Sequence, residues 1–268
     1  MLTKAVEKDR LLITQYCLAE PNINLFILGD IENFGFENAF QDVWFQTVDE
    51  HLTGIVLRYH DNLILYSRDL DMVFDEVQVL LSTLNVRVIS GKQTVMDGFY
   101  PFVASHFSKR EMTFCELQDP SKLVTDTSEV SVAGPADTLE IAQVYGQISE
   151  FVGLYASELE VRHQQILNRV NSREGVHLFI KRNGKIVSHA NSAAETSVSG
   201  MLGGILTLPE YRHQGLAGKV ISAVSQNLAR RGKSACSFYD NQDANSIFQR
   251  LGFQETNKWT ILEKGMNE

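Results

Sequence analysis

The sequence predicts a mixed α/β protein built as two tandem halves, and three observations predict it. Residues Gly203 to Gly232, GGILTLPEYRHQGLAGKVISAVSQNLARRG, read as a buried strand, a tight polar turn and an amphipathic helix. Each half presents three strands, a helix, a strand, a second helix and a final strand, so that VRVIS-GKQTV…FSKREMTFCEL lies opposite SACSFYD-NQDAN…TNKWTILEK. The polar stretch QDPSKLVTDTS, Gln118 to Ser128, stands between them as a linker. The domains expected are therefore 1–120 and 126–268.

Taken in order, Thr3 to Ala19 has helical spacing at Val6, Leu11, Ile13 and Leu18 and stops before Pro21. Asn24 to Phe34 is a second apolar helix. Val43–Val48, Leu52–Tyr59 and Leu63–Tyr66 read as strands separated by the polar breaks Asp49-Glu50-His51 and His60-Asp61-Asn62. Asp69 is placed to cap a helix carrying Met72, Val73, Val77, Leu80, Leu81 and Leu84. Val86–Ile89 is a short strand, Gly91 starts another helix, and Phe107–Leu117 alternates as a long strand.

Beyond the linker, Glu129–Val132 reads as a strand and Asp137–Tyr145 as a helix. Ile148–Ala156 reads as an irregular apolar-aromatic loop and Leu159–Val170 as a helix. Val176–Arg182 and Lys185–Asn191 form a hairpin around Asn183-Gly184, a pair suited to a two-residue turn. Ser197–Leu208 is the long strand that feeds the central turn. No glycine occurs between Gly54 and Gly91, so the first half lacks such a turn. It is either a degenerate copy of the second or an unrelated domain with the same order of elements.

Composition narrows the function classes. A net charge of −9 over 268 residues repels phosphate, which argues against nucleic acid as the main partner. Cys17, Cys115 and Cys236 are far apart and show no CxxC or Cys/His spacing, so no metal is expected and they read as reduced apolar fillers. The N-terminal stretch is charged throughout, and no apolar run approaches the ~18–20 residues of a membrane span. A cytoplasmic protein without a membrane partner is the expectation, with a homodimer left open.

The central turn reads either as a phosphate site or as an ordinary βα unit whose glycines only pack. Backbone N–H groups of the turn and of the helix's first turn lack intrahelical partners, and the helix dipole makes that end positive. Gly215, Ala217 and Gly218 keep it nearly free of side chains, with Arg212 and Lys219 as nearby cations. A Walker A loop fails at His213 and Val220, and the dinucleotide fingerprint is absent. Arg212-x-x-Gly215-x-Ala217 resembles the coenzyme A loop of GNAT-superfamily N-acetyltransferases. Asn241-x-x-Ala244-x-x-x-Phe248-x-x-x-Gly252-Phe253 resembles the last helix of the same superfamily, with Phe248 where many members carry tyrosine. The resemblance covers Ser128 to Lys264. It implies the GNAT acyl-CoA N-acyltransferase fold, with a sheet splayed between Gly203–Leu208 and Ala235–Tyr239 and a degenerate GNAT-like N-terminal half.

The same resemblance implies the chemistry: acetyl transfer from acetyl-CoA to the primary amine of a small molecule, in a ternary complex. The strand with Ile205, Leu206 and Thr207 would line the pantetheine, and its N–H groups would polarise the thioester carbonyl. Arg212, His213, Gln214, Gly215, Leu216, Ala217, Gly218 and Lys219 would hold the pyrophosphate. Asn241, Ala244 and Phe248 would complete the cofactor site. Tyr239 and Tyr211 are the phenols nearest to a thiolate that Phe248 cannot protonate, and Tyr239 is equally readable as packing. The general base is sought in Glu150 and Glu158, set among Phe151, Val152, Leu154 and Tyr155, where apolar surroundings would raise a carboxyl pKa; taken singly, each reads more readily as a glutamate on a solvated helix face. His189 either faces the acceptor or is a hydrogen-bonded packing residue.

Two other function classes stay open. One is a non-catalytic module that senses acyl-CoA. The other is an amino-acid N-acyltransferase, through a weaker likeness of TLPEYRHQGLAGKVI to glycine N-acyltransferases. The first half, through Asn22–Phe40 with Phe26, Phe34, Phe36 and Phe40 beside Asp30, Glu32 and Glu37, would either wall the acceptor site or fill its own core.

Overall fold

The computed structural model describes residues 1–152, 155–173 and 175–265; Leu154 of the apolar loop lies outside them. The chain divides into two compact units, Met1–Phe114 with the chain from Glu255 onward, and Cys115–Gln254. The residues after Gln254 thus group with the first unit, where the sequence reading kept them with 126–268.

The first half contributes β1 (Leu2–Lys4), α1 (Arg10–Cys17), α2 (Leu25–Phe34), β2 (Gln41–Val48), β3 (His51–Tyr59), β4 (Asn62–Tyr66), α3 (Phe74–Ser82), β5 (Val88–Lys92), α4 (Gln93–Phe99) and β6 (Phe107–Leu117). The helix expected from Thr3 starts only at Arg10. Leu2–Lys4 instead add a strand antiparallel to β2, continued by the Ala5 N–H donating to Val43 O at 2.8 Å. Val6, Leu11 and Leu18 of the helical spacing are exposed, whereas Ile13, Tyr16 and Cys17 are buried. Asp69 caps nothing: α3 begins at Phe74 after an extended Val73, with Asp75 and Glu76 in its first turn. Gly91 belongs to β5, where a Cβ would come within 2.4 Å of Leu65 O, and α4 follows it.

The parallel pair β4–β5 stays in register from Asn62↔Val88 to Leu65↔Gly91. Just beyond, the Glu20 carboxylate accepts from Tyr66 Oη (2.9 Å) and pairs with Lys92 Nζ (2.7 Å), joining the C-terminal ends of the two strands. Leu63, Leu65, Ile89, Val95, Met96 and Phe99 fill the core beneath.

The second half supplies β7 (Ser131–Val132), α5 (Thr138–Tyr145), α6 (Leu159–Ser172), β8 (His177–Arg182), β9 (Lys185–Glu195), β10 (Ser199–Thr207), α7 (Leu216–Arg230), β11 (Ser234–Tyr239), α8 (Gln242–Arg250) and β12 (Phe253–Lys264). The strands follow one another as β7-β8-β9-β10-β11, antiparallel except for parallel β10–β11. Asn183 (φ 51°) and Gly184 (φ 79°) are both left-handed, as the two-residue hairpin turn requires. Leu216, Val220, Val224 and Leu228 are all buried, the stripe that lays α7 on the sheet. The 118–128 segment is no loose linker. The Gln118 and Asp119 N–H groups both donate to Gly252 O at 3.0 Å, and Val124 is bonded to Ser222 and Gln226 of α7. In β12, Phe253 packs in the second unit's core, while Trp259–Glu263 pair antiparallel with Lys92–Val88 in the first unit.

Candidate functional site

The opening in the second unit starts where two strands part. β10 and β11 pair from Ser199↔Ser234 to Leu202↔Ser237, and the ladder then ends although β10 runs on to Thr207 and β11 to Tyr239. On its other side β10 carries a bulge: Gly203 pairs with Asn191 and Leu206 with His189, so Gly204 and Ile205 together oppose Ala190. Gly204 sits at φ 54°, and a Cβ there would lie 1.9 Å from Tyr145 Oη, so only glycine fits. Leu206 is buried in the core; Ile205 and Thr207 are half-buried.

The turn after β10 is built from backbone. Tyr211 and Arg212 close a short 3-10 turn on Leu208 O and Pro209 O. His213 (φ 62°) and Gly215 (φ 77°) are left-handed on either side of Gln214, and the first helical bond runs from Lys219 N–H to Gly215 O. Among the described residues, the N–H groups of His213 through Gly218 have no acceptor. Six consecutive free donors at the head of a fifteen-residue helix form an anion nest, reinforced by the helix dipole. No atom lies within 4 Å of a Cβ built on Gly215, so its glycine serves the backbone angle and an open approach. At Gly218 a Cβ would meet Val124 and Leu251 at ordinary distances of 3.8 and 3.9 Å. Leu216 anchors the helix in the core, and Ala217 is half-buried.

The two cations are not free. Arg212 Nη2 lies 3.0 Å from Glu150 Oε1, and its Nε donates to Thr207 O. Lys219 pairs with Glu129, whose other oxygen accepts from Arg182 at 2.6 Å. Both cations read as neighbours of the turn thus have carboxylate partners, while the turn amides do not.

The acid–base residues fall differently from the sequence reading. Hydrogen bonds from its own backbone N–H and from Ser149, with Arg212 beside it, hold the exposed Glu150 carboxyl below its usual pKa. The raised value expected from apolar neighbours is therefore corrected. Glu158 is exposed at the N-cap of α6. Tyr239 is buried, donates to Asn245 Oδ1 at 3.1 Å and stacks on Phe248. Phe248 is buried against Phe253 as well. Asn241 caps α8, its Oδ1 accepting the Ala244 N–H at 2.9 Å, with Ala244 half-buried against the core. The Asn241 side chain, expected on pantetheine, is engaged within the protein: its oxygen caps its own helix and its amide nitrogen donates to Asp240 Oδ1 at 3.4 Å.

Sequence reasoning missed a buried polar tier beneath the bulge. His189 Nδ1 lies 2.8 Å from Gly204 O and 3.4 Å from Tyr145 Oη, and its Nε2 lies 3.1 Å from His177 Nδ1. A carbonyl can only accept, so His189 carries its proton on Nδ1. Its Nε2 then accepts from His177 Nδ1–H, and His177 Nε2 is left bare, in accord with that buried atom having no partner. Burial lowers the pKa of His189 to about 4 and of His177 to about 3, so both are neutral. The Gly203-Gly204 pair inside a strand pattern was the available signal, since such glycines mark bulges.

Among the described residues no cluster of His, Cys, Asp or Glu could hold a metal ion, and no helix is long and apolar enough to cross a membrane. The family model of FR47-like proteins matches residues 182–261, the span holding both the turn and α8. No curated protein matches the sequence. A Drosophila protein structure gives a TM-score of 0.70 at 13% identity, covering 100% of this chain and 99% of its own. An acetyltransferase of the GNAT family from Colwellia psychrerythraea gives 0.61 at 14%, covering 99% and 100%. A tandem GNAT protein from the clavulanic acid biosynthesis pathway gives 0.59 at 13%, covering 100% and 99%. Such low identities speak to architecture alone, and with the parted strands and the turn they agree on one point: this chain has the GNAT acyl-CoA N-acyltransferase fold, in two tandem halves.

Proposed function

We propose that the second unit is an N-acetyltransferase that moves an acetyl group from acetyl-CoA to the primary amine of a small molecule by direct attack. The observation that carries this reading is the row of six free N–H groups, His213 to Gly218, at the foot of a strand parted from its neighbour. A pyrophosphate suits the amides, and an extended pantetheine suits the free edge of Gly203–Thr207 as an added strand. Arg212 would exchange Glu150 for phosphate. Of the two carboxylates, Glu150 is a weak base while paired to Arg212, so Glu158 is the better candidate to take the amine's proton.

Phe248 and the engaged hydroxyl of Tyr239 favour a second reading, a module that binds acyl-CoA without turnover. Release of free thiol from acetyl-CoA, across a panel of amines, amino acids and aminoglycosides, separates the two. Thiol release with one of them supports the enzyme. Saturable acetyl-CoA binding with no release from any of them leaves the sensor.

A further inference from the structure

We propose that His189 is the positioning residue of the acetyl transfer: by holding the Gly204 carbonyl it turns the Ile205 N–H, in the same peptide, toward the thioester oxygen. This inference rests on the acetyltransferase reading above. The ladder does not fix that peptide. Gly203 pairs with Asn191 and Leu206 with His189, so Gly204 and Ile205 have no partner of their own in β9, and β11 has already left β10 at Leu202. Among the described residues, no turn or loop carbonyl accepts the Ile205 N–H.

His189 supplies the bond that the ladder omits. Its Nδ1 donates to Gly204 O at 2.8 Å, from a side chain that is fully buried. A trans peptide is planar, with its C=O and N–H on opposite sides. Drawing the Gly204 carbonyl toward β9 therefore sends the Ile205 N–H the other way, to the side where β11 has parted. Tyr145 Oη stands where a Cβ of residue 204 would be, so the bulge cannot swing toward α5.

The donor depends on the tautomer, and a second histidine sets it. His189 Nε2 lies 3.1 Å from His177 Nδ1, and a proton committed to the carbonyl at Nδ1 leaves Nε2 to accept. His177 must then donate through Nδ1, and its own buried Nε2 is left without a partner. An unpaired buried nitrogen costs stability and adds nothing to packing. Aiming one N–H of the bulge gives the pair a use that packing does not.

At the reaction centre the neutral amine nitrogen bonds to the thioester carbon, and the carbonyl electron pair moves onto oxygen. There a fixed N–H meets the developing charge. The pair returns as the carbon–sulfur bond breaks, and the proton that the nitrogen gives up ends on the departing sulfur. His189 touches none of these atoms and acts only through the peptide.

The test compares His189→Leu, which removes the donor, with His189→Asn, whose side-chain amide can stand at the Nδ1 position. Both are made in the full chain, with acetyl-CoA affinity read by calorimetry and kcat by thiol release with the best amine of the panel. The proposal expects kcat to fall about 100-fold in His189→Leu, with acetyl-CoA affinity unchanged and most of the loss restored in His189→Asn. Parental kcat in His189→Leu overturns it, as does an equal loss in both variants or a loss of acetyl-CoA binding, since the ring would then only fill space. Should His189→Leu fail to fold, nitrogen NMR of the parent protein decides. A proton on His189 Nδ1 supports the proposal, and a proton on Nε2 overturns it, because that tautomer cannot hold the Gly204 carbonyl. A parent protein that binds acetyl-CoA but releases no thiol overturns the acetyltransferase reading itself, and this proposal with it.

Discussion

His189 and His177 tie the chemistry of single residues to the stability of the fold. Unfolded, each imidazole takes its proton near pH 6.5; folded, His189 does so near 4 and His177 near 3. Between these values the unfolded chain binds more protons than the folded one. Stability is therefore full above pH 6.5 and falls as the pH drops toward 4. The loss from His189 is on the order of 3 kcal/mol. Urea midpoints measured from pH 7.5 to 4 are expected to drop steeply for the parent protein and less steeply for His189→Gln. At this scale the sequence was legible where backbone chemistry decides, as at Gly215, whose open left-handed position needs a glycine. It was illegible where a side chain's role depends on a distant neighbour. Glu150 was read from its apolar sequence neighbours, yet its own backbone N–H and Ser149, with Arg212 brought to it by the turn, hold its carboxyl below the usual range. His189 was read alone, and its tautomer follows from Gly204 and His177.

The bulge in β10 is the element on which the site turns. Its left-handed Gly204 is packed so closely against Tyr145 that an alanine would place Cβ 1.9 Å from the hydroxyl. Gly204→Ala is expected to cost about 2 kcal/mol or more and to displace Tyr145 and Tyr155 together. Thermal melting measures the cost, and a melting temperature within a degree of the parent protein would show that the bulge is not held this way. Elements with a full apolar stripe or a decisive turn were legible: α7 from its four-residue repeat and the β8–β9 hairpin from Asn183-Gly184. Short edge elements were not. β1 has three residues and owes its form to hydrogen bonds with β2, which lies some forty positions away. The start of α3 was missed because Gln46, not Asp69, satisfies its N-terminal backbone, accepting from the Val73 N–H at 2.7 Å.

Across the whole molecule, the internal repeat was legible because both halves keep the same order of strands and helices. What separates the two halves lies at matching strand ends. In the first unit Glu20 joins Tyr66 to Lys92; in the second the ladder stops at Leu202 and Ser237. The grouping of the last strand with the first unit was not legible, since strand propensity carries no information on partner choice. Ending the chain at Gln254 would remove buried Trp259 and Leu262 and the strand paired with Val88–Lys92. That truncation is expected to leave the N-terminal unit open to proteolysis. Equal resistance to limited trypsin would contradict the pairing.

The central claim is that the free amides of His213–Gly218 hold the pyrophosphate of acetyl-CoA. The direct measurement is the melting temperature of the full chain with and without millimolar acetyl-CoA, beside Gly215→Asp, which sets a carboxylate in the nest and strains its left-handed backbone. The account predicts a rise of several degrees for the parent protein, about what a ligand at 10–100 times its Kd confers, and none for the variant. An unchanged melting curve for the parent protein, or an equal rise in Gly215→Asp, would contradict it.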